Sequence, residues 1–105
     1  MLYSEGMNTN TATSHQLTNL PAFAAEVLEF ALEGGYQLAD STTLVVNEWG
    51  GFDIYTRTQV IRLAQEDTTW TVRLFTRQMV LRGTQSFEGC FAGVGPIGDA
   101  VGRLL

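Results

Sequence analysis

The stretch from Thr43 to Arg82 limits what this chain can become. It is dominated by Thr, Val, Ile, Leu, Phe, Tyr and Trp, and short polar or glycine-containing breaks divide it. β-branched and aromatic residues fit a pleated, half-buried surface, and such breaks between them predict hairpins. The expected strands are Leu44–Trp49, Phe52–Leu63 and Trp70–Arg82. Ser86–Ala92 is a weaker fourth strand, with Phe87 and Phe91.

Residues Leu20 to Glu33 predict the main helix. Thr18 or Asn19 can cap it, and Pro21 suits its first turn. Phe23, Val27 and Phe30 recur at helical spacing. Leu20, Ala24, Leu28 and Ala31 widen the stripe, and Glu26, Glu29 and Glu33 fall mainly on the opposite side. Gly34 and Gly35 end the helix, because glycine takes the left-handed capping conformation without steric cost. A short closing helix is expected over Asp99–Leu105, with Val101, Leu104 and Leu105 turned to the core. The expected fold class is α+β. Its N-terminal helix packs on a three- to four-stranded antiparallel meander sheet, followed by a short C-terminal helix.

The 105 residues are 45% hydrophobic, enough to build a core and too many for a disordered chain. Residues 1–16 are rich in Thr, Ser and Asn without apolar period and read as a mobile polar tail, with Met7 an alternative start. Residues 17–105 read as one domain. No apolar run reaches membrane-spanning length, and the N-terminus lacks the pattern of a secretory signal. The lone Cys90 excludes an internal disulfide and reads as a small packed hydrophobe. A cytoplasmic location is the expectation.

The formal net charge is −5, and all six basic residues are arginines. An acidic balance argues against direct nucleic-acid binding and permits a basic protein partner. Five of the arginines, Arg57, Arg62, Arg73, Arg77 and Arg82, lie in the sheet region, where they are expected to line a solvated face or pair with acidic neighbours. They would form a basic binding surface only if one face held them all, and the simple register puts Arg57 and Arg77 on opposite faces.

Gly50-Gly51 offers a two-residue hairpin turn. In that register Trp49 faces Phe52, a favourable aromatic pair, and Glu48 faces Asp53, an unfavourable like-charge pair. Three explanations of the acidic pair are open. A longer loop separates the carboxylates, an arginine sits between them, or a cation binds them. Farther on, Phe52 and Ile54 share a side with Phe75, Met79 and Leu81, whereas Ile61 and Leu63 share one with Val72 and Leu74. This change of parity implies a bulge or sharp bend near Thr56–Gln59 and Thr76–Gln78.

Gly93-Val94-Gly95-Pro96-Ile97-Gly98 matches G-x-G-x-x-G, but no following parallel strand or acidic residue completes a dinucleotide site. It reads as a flexible turn before the last helix. His15 stands alone in the tail, and no spacing suggests a nucleophile with its base or a metal-ligand set. The expectation is therefore no enzyme, no cofactor and no metal.

Together these features predict a protein-interaction module: a small acidic inhibitor or adaptor of the kind phages direct at nucleic-acid-handling or defence machinery. Its partner-binding residues would be Glu48, Trp49, Phe52 and Asp53, exposed at a hairpin tip. One helix can hardly cover both sheet faces, so a homodimer or another protein would bury the second. Two alternatives are a small-molecule pocket between helix and sheet, lined by Phe23, Phe30, Tyr55, Trp70 and Phe75, and a small acidic secretion-type chaperone.

Overall fold

A computed structural model describes residues 20–39, 41–88 and 93–105. The polar tail with His15, the capping candidates Thr18 and Asn19, the turn residue Asp40, and Gly89, Cys90, Phe91 and Ala92 of the expected fourth strand lie outside them. The described elements run α1 (Ala22–Glu33), β1 (Thr43–Val46), β2 (Phe52–Tyr55), β3 (Gln59–Glu66), β4 (Thr69–Thr76), β5 (Leu81–Glu88) and α2 (Val94–Leu104). The class is α+β. The sheet has five antiparallel strands in sequence order rather than three or four.

The extra strand arises because the expected strand Phe52–Leu63 is a hairpin. Its arms are β2 and β3, joined by the turn at residues 56–58. Trp70–Arg82 likewise divides into β4 and the start of β5. The parity change in the sequence is real, but the chain reverses at both places instead of bulging. Thr56 Oγ1 accepts from the backbone N–H groups of Thr58 and Gln59 at 3.3 and 3.1 Å, and Thr76 Oγ1 accepts from that of Val80 at 3.1 Å. A bulge does occur farther along, where Gly83 opposes Leu74 and Leu81 opposes Phe75, leaving Arg82 as the extra residue.

The β3–β4 turn is tighter than expected. Glu66 pairs with Thr69, so only Asp67 and Thr68 lie in the loop, and Asp67 takes a left-handed φ of 55°. Leu63 therefore opposes Val72 rather than Trp70. A slip of two residues leaves every side chain on its expected face.

One sheet face carries the core. Phe52, Ile54, Ile61, Leu63, Trp70 and Val72 meet Leu20, Ala24, Val27 and Leu28 on the α1 side and Ile97, Ala100 and Val101 of α2. Phe23 stacks on Trp70 with ring centroids 4.8 Å apart. Glu26, Glu29 and Glu33 are exposed, whereas Phe30 lies at the edge of the α1 stripe, 46% exposed.

α2 begins five residues earlier than expected, so the G-x-G-x-x-G run is helical apart from Gly93, its N-cap. Its glycines serve helix packing. A Cβ on Gly98 would stand 2.9 Å from both the Phe30 ring and the Val27 carbonyl, and one on Gly102 would fall on the Tyr36 ring. The missing side chains let α2 approach α1 closely. No described helix is long and apolar enough to cross a membrane.

Candidate interaction face

Five residues, Asn47 to Gly51, connect β1 to β2, and Val46 opposes Phe52. The two-residue turn is overturned, and with it the facing pairs Trp49–Phe52 and Glu48–Asp53. The longer loop is built around Asn47. Its Oδ1 accepts from the backbone N–H groups of Trp49 and Gly51 at 2.9 and 3.1 Å, and its Nδ2 donates to Asp53 Oδ1 at 3.0 Å and to the Leu63 carbonyl at 2.9 Å. One side chain thus ties the loop to β2 and β3. Gly51 is required beside it, because a Cβ there would fall on the Leu63 carbonyl. The positive φ of 80° at Gly50 suits glycine too.

The loop separates the four expected partner-binding residues. Glu48 is exposed and Trp49 is 40% exposed. Phe52 is fully buried on the core face, where its ring packs among apolar side chains, so it cannot anchor a partner at a tip. Asp53 points to the opposite face and is buried as well, at 6% exposure.

What holds Asp53 there is Arg62, its direct cross-strand neighbour. The guanidinium donates from Nε to Oδ1 at 3.0 Å and from Nη2 to Oδ2 at 2.9 Å, the bidentate geometry that suits a planar carboxylate. The Arg62 guanidinium carbon also lies 4.6 Å from the ring centroid of Trp49 and 5.2 Å from that of Phe75. The hydrogen bonds that Arg62 donates to Asp53 raise the arginine's pKa above its ordinary value, and the opposing effect of partial burial is outweighed. The first sequence explanation of the acidic pair, a longer loop, is the one seen: Arg62 binds Asp53 and makes no ion pair with Glu48 among the described residues.

The same face gathers other arginines. Arg73 sits directly across from Arg62, and each binds its own acid: Arg73 donates to Glu66 at 3.0 and 3.4 Å, holding that carboxyl below its ordinary range. Arg77 lies over Tyr55, 5.7 Å from the ring centroid, and donates to the Thr56 carbonyl. The face is therefore not a basic surface. Its central arginines are neutralised by Asp53 and Glu66.

Nor is it the broad apolar face expected from the sequence. Both described helices lie against the other side, yet Val60, Ala64 and Thr71 are buried here, and Asp53, Arg62 and Arg73 make the middle polar. Among the described residues, the exposed large apolar side chains Val45 (43%), Trp49 and Leu81 (52%) lie at the periphery of this face.

The aromatic pocket between helix and sheet is not formed. Phe23 and Trp70 are stacked on the core face, Tyr55 and Phe75 lie on the other, and Phe30 is at the helix edge. A different cleft of about 360 Å³ opens at one end of the sheet, bordered by Gln37, Thr42, Arg57, Thr58, Gln59 and Leu105 among others. Gln59 helps close its floor by donating to the Leu104 carbonyl at 2.7 Å. No three His, Cys, Asp or Glu side chains gather as metal ligands among the described residues.

Sequence reasoning missed Asn47 and did not single out Arg62 as the partner of Asp53. The signal for Arg62 was its place between the apolar pairs Val60-Ile61 and Leu63-Ala64, because a partly buried arginine is usually paired. No protein-family model matches the chain, and no curated protein or solved structure shows significant similarity to it.

Proposed function

We propose that this chain is a non-enzymatic protein-interaction module, a small inhibitor or adaptor that engages its partner through the corner formed by Val45, Glu48 and Trp49. The observation that carries this reading is the state of Trp49. Its ring is 40% exposed, yet it is stacked on a guanidinium that Asp53 anchors through two hydrogen bonds. An aromatic side chain fixed before binding loses little conformational freedom when a partner covers it, and tryptophan is enriched among the residues that dominate interfaces. Val45 extends the apolar area along β1.

The balanced charge of this face alters the kind of partner expected. The acidic excess lies partly on α1, in exposed Glu26, Glu29 and Glu33. The Trp49 corner suits a partner with an apolar pocket, and a basic one is not required.

Affinity capture from the source cell tests the reading. A protein retained by the wild type and by Glu29→Ala, but lost with both Trp49→Ala and Val45→Asp, supports it. Equal capture by all four proteins, each with unchanged circular dichroism, sinks it.

The cleft at the end of the sheet supports a second reading, a site for a small molecule beside Arg57. A thermal-shift screen of small anions, compared between wild type and Arg57→Ala, separates it from the first.

A further inference from the structure

We infer that β5 is a self-complementary dimerisation edge, and that its occupant is β5 of a second copy of this chain, paired antiparallel about Gln85. Among the described residues β5 ends the strand order; it spans Leu81–Glu88 and is exposed at every position except the half-buried Phe87. Long edges attract other strands, and proteins commonly blunt them with lysine, proline or short length. β5 has no lysine or proline, its charges and its bulge stand only near its ends, and it is twice as long as β1, the four-residue strand at the opposite edge.

The residues on β5 select the occupant. Antiparallel pairing about Gln85 sets Arg82 across from Glu88 of the second copy, Gly83 across from its Phe87, and Thr84 across from its Ser86. The two-fold axis repeats each match. Arg82 and Glu88 are opposite charges at both ends of the ladder, and Thr with Ser is a hydrogen-bonding pair; both are favourable directly opposite each other.

The sheet geometry agrees. Gly83 opposes Leu74 and Phe87 opposes Trp70, so both belong to the face that carries the helices. Nothing lies within 4 Å of where a Gly83 Cβ would stand, which leaves open space for the Phe87 ring of the second copy. Thr84, Ser86 and Glu88 oppose Arg73, Thr71 and Thr69 on the other face. A two-fold axis perpendicular to the sheet keeps these faces in common, so the aromatic meets the glycine and Thr84 meets Ser86, while Arg82, the bulge residue, reaches Glu88 from the end of the ladder. The Arg82 bulge falls at the end of the ladder, and Gly83–Phe87 carries the regular pairing. β1 offers no comparable match, since Thr43–Val46 holds no charge. This inference does not depend on the Trp49 reading.

The test is sedimentation equilibrium at low ionic strength on the full chain, with circular dichroism as the folding control. The wild type is expected to be a dimer that dissociates on dilution. Arg82→Glu alone and Glu88→Arg alone each place like charges at both ends, raising the dissociation constant about tenfold or more. Mixing these two variants restores a dimer of one of each, because every end pair is again opposite in sign. The double variant Arg82→Glu/Glu88→Arg restores a homodimer, which also shows that the substitutions themselves are tolerated. Val45→Asp, aimed at the other proposed surface, leaves the dimer unchanged. A wild type that stays monomeric at hundreds of micromolar overturns the inference. Dimers of unaltered affinity in both single variants, or failure of both the mixture and the double variant to associate, overturn it as well.

Discussion

Arg62 grips Asp53 directly across the β2–β3 ladder, contacting both carboxylate oxygens at 3.0 and 2.9 Å while the acid is 6% exposed. Removing the arginine strands a buried charge, which is worse than having no pair. Arg62→Met is expected to lower the unfolding free energy by about 3 kcal/mol. Arg62→Met with Asp53→Leu should recover most of that loss. Urea titrations of wild type, single and double variants check both statements.

Asn47 makes four hydrogen bonds, two as donor and two as acceptor. Truncation to alanine leaves the Leu63 carbonyl and two loop N–H groups without it, at a cost of about 2–3 kcal/mol. Asn47→Asp keeps the acceptor but loses both donors and sets a second carboxylate beside Asp53. The repulsion between the two carboxylates acts only while both are charged. The added destabilisation is then largest at neutral pH and fades as pH falls below the unfolded carboxylate value. Thermal melts of the two variants from pH 7 to pH 4 should diverge at the neutral end and approach each other at the acid end.

Glu66 gives a smaller effect with the opposite sign. Its carboxyl is held below the ordinary range by its hydrogen bonds with Arg73. A depressed folded pKa contributes stability that is present above the unfolded value and lost as pH falls through the folded one. Glu66→Gln should therefore lower the melting temperature slightly at neutral pH and flatten its decline in acid. Because this pair is exposed, high salt should shrink the difference.

Much of the architecture was legible because hydrophobic period survives small errors of register. The sequence placed α1 within two residues of its start and identified the apolar face of β3 and β4 despite pairing Leu63 with the wrong residue. The two hairpin reversals were harder to find, since neither turn contains Gly, Pro or Asn. Each is made instead by a threonine hydroxyl that accepts from backbone N–H groups, a weaker turn signal. The recurring Thr-Arg at Thr56-Arg57 and Thr76-Arg77 was the available clue. The candidate site was less visible than the fold. Which residue faces Asp53 depends on loop length, and the side chain that sets that length, Asn47, looks like any polar residue near a strand end. Phe52 and Asp53 were assigned to a tip that the five-residue loop moves away from them.

Two glycines of α2 make a paired test. Gly95 has only ordinary contact with the Phe30 ring, so Gly95→Ala should gain helix propensity and raise stability by about 0.5 kcal/mol. Gly102 lies against the Tyr36 ring, so Gly102→Ala should displace that ring from α2 and cost about 2 kcal/mol or more. Chemical denaturation of the two variants should move the midpoint in opposite directions.

Met79 occupies the left-handed region, with φ of 65°, at the exposed turn between β4 and β5. A side chain there costs about 1–2 kcal/mol that glycine avoids. Met79→Gly should raise the melting temperature, less by whatever the added chain entropy of the unfolded state removes. Differential scanning calorimetry reads the change directly.

The meander joins each strand to its immediate predecessor, so the sheet can zip up from short-range encounters soon after synthesis. Its helical cover is assembled from both sides of that meander in the chain: α1 precedes β1 and α2 follows β5, yet they pack on each other and on the same strands. A nascent chain lacking residues 94–104 would present Val27, Ile54 and Ile61 without their last neighbour. For this protein the ribosome delivers the sheet early and the seal late, and the interval between them is when aggregation and chaperone capture compete with folding.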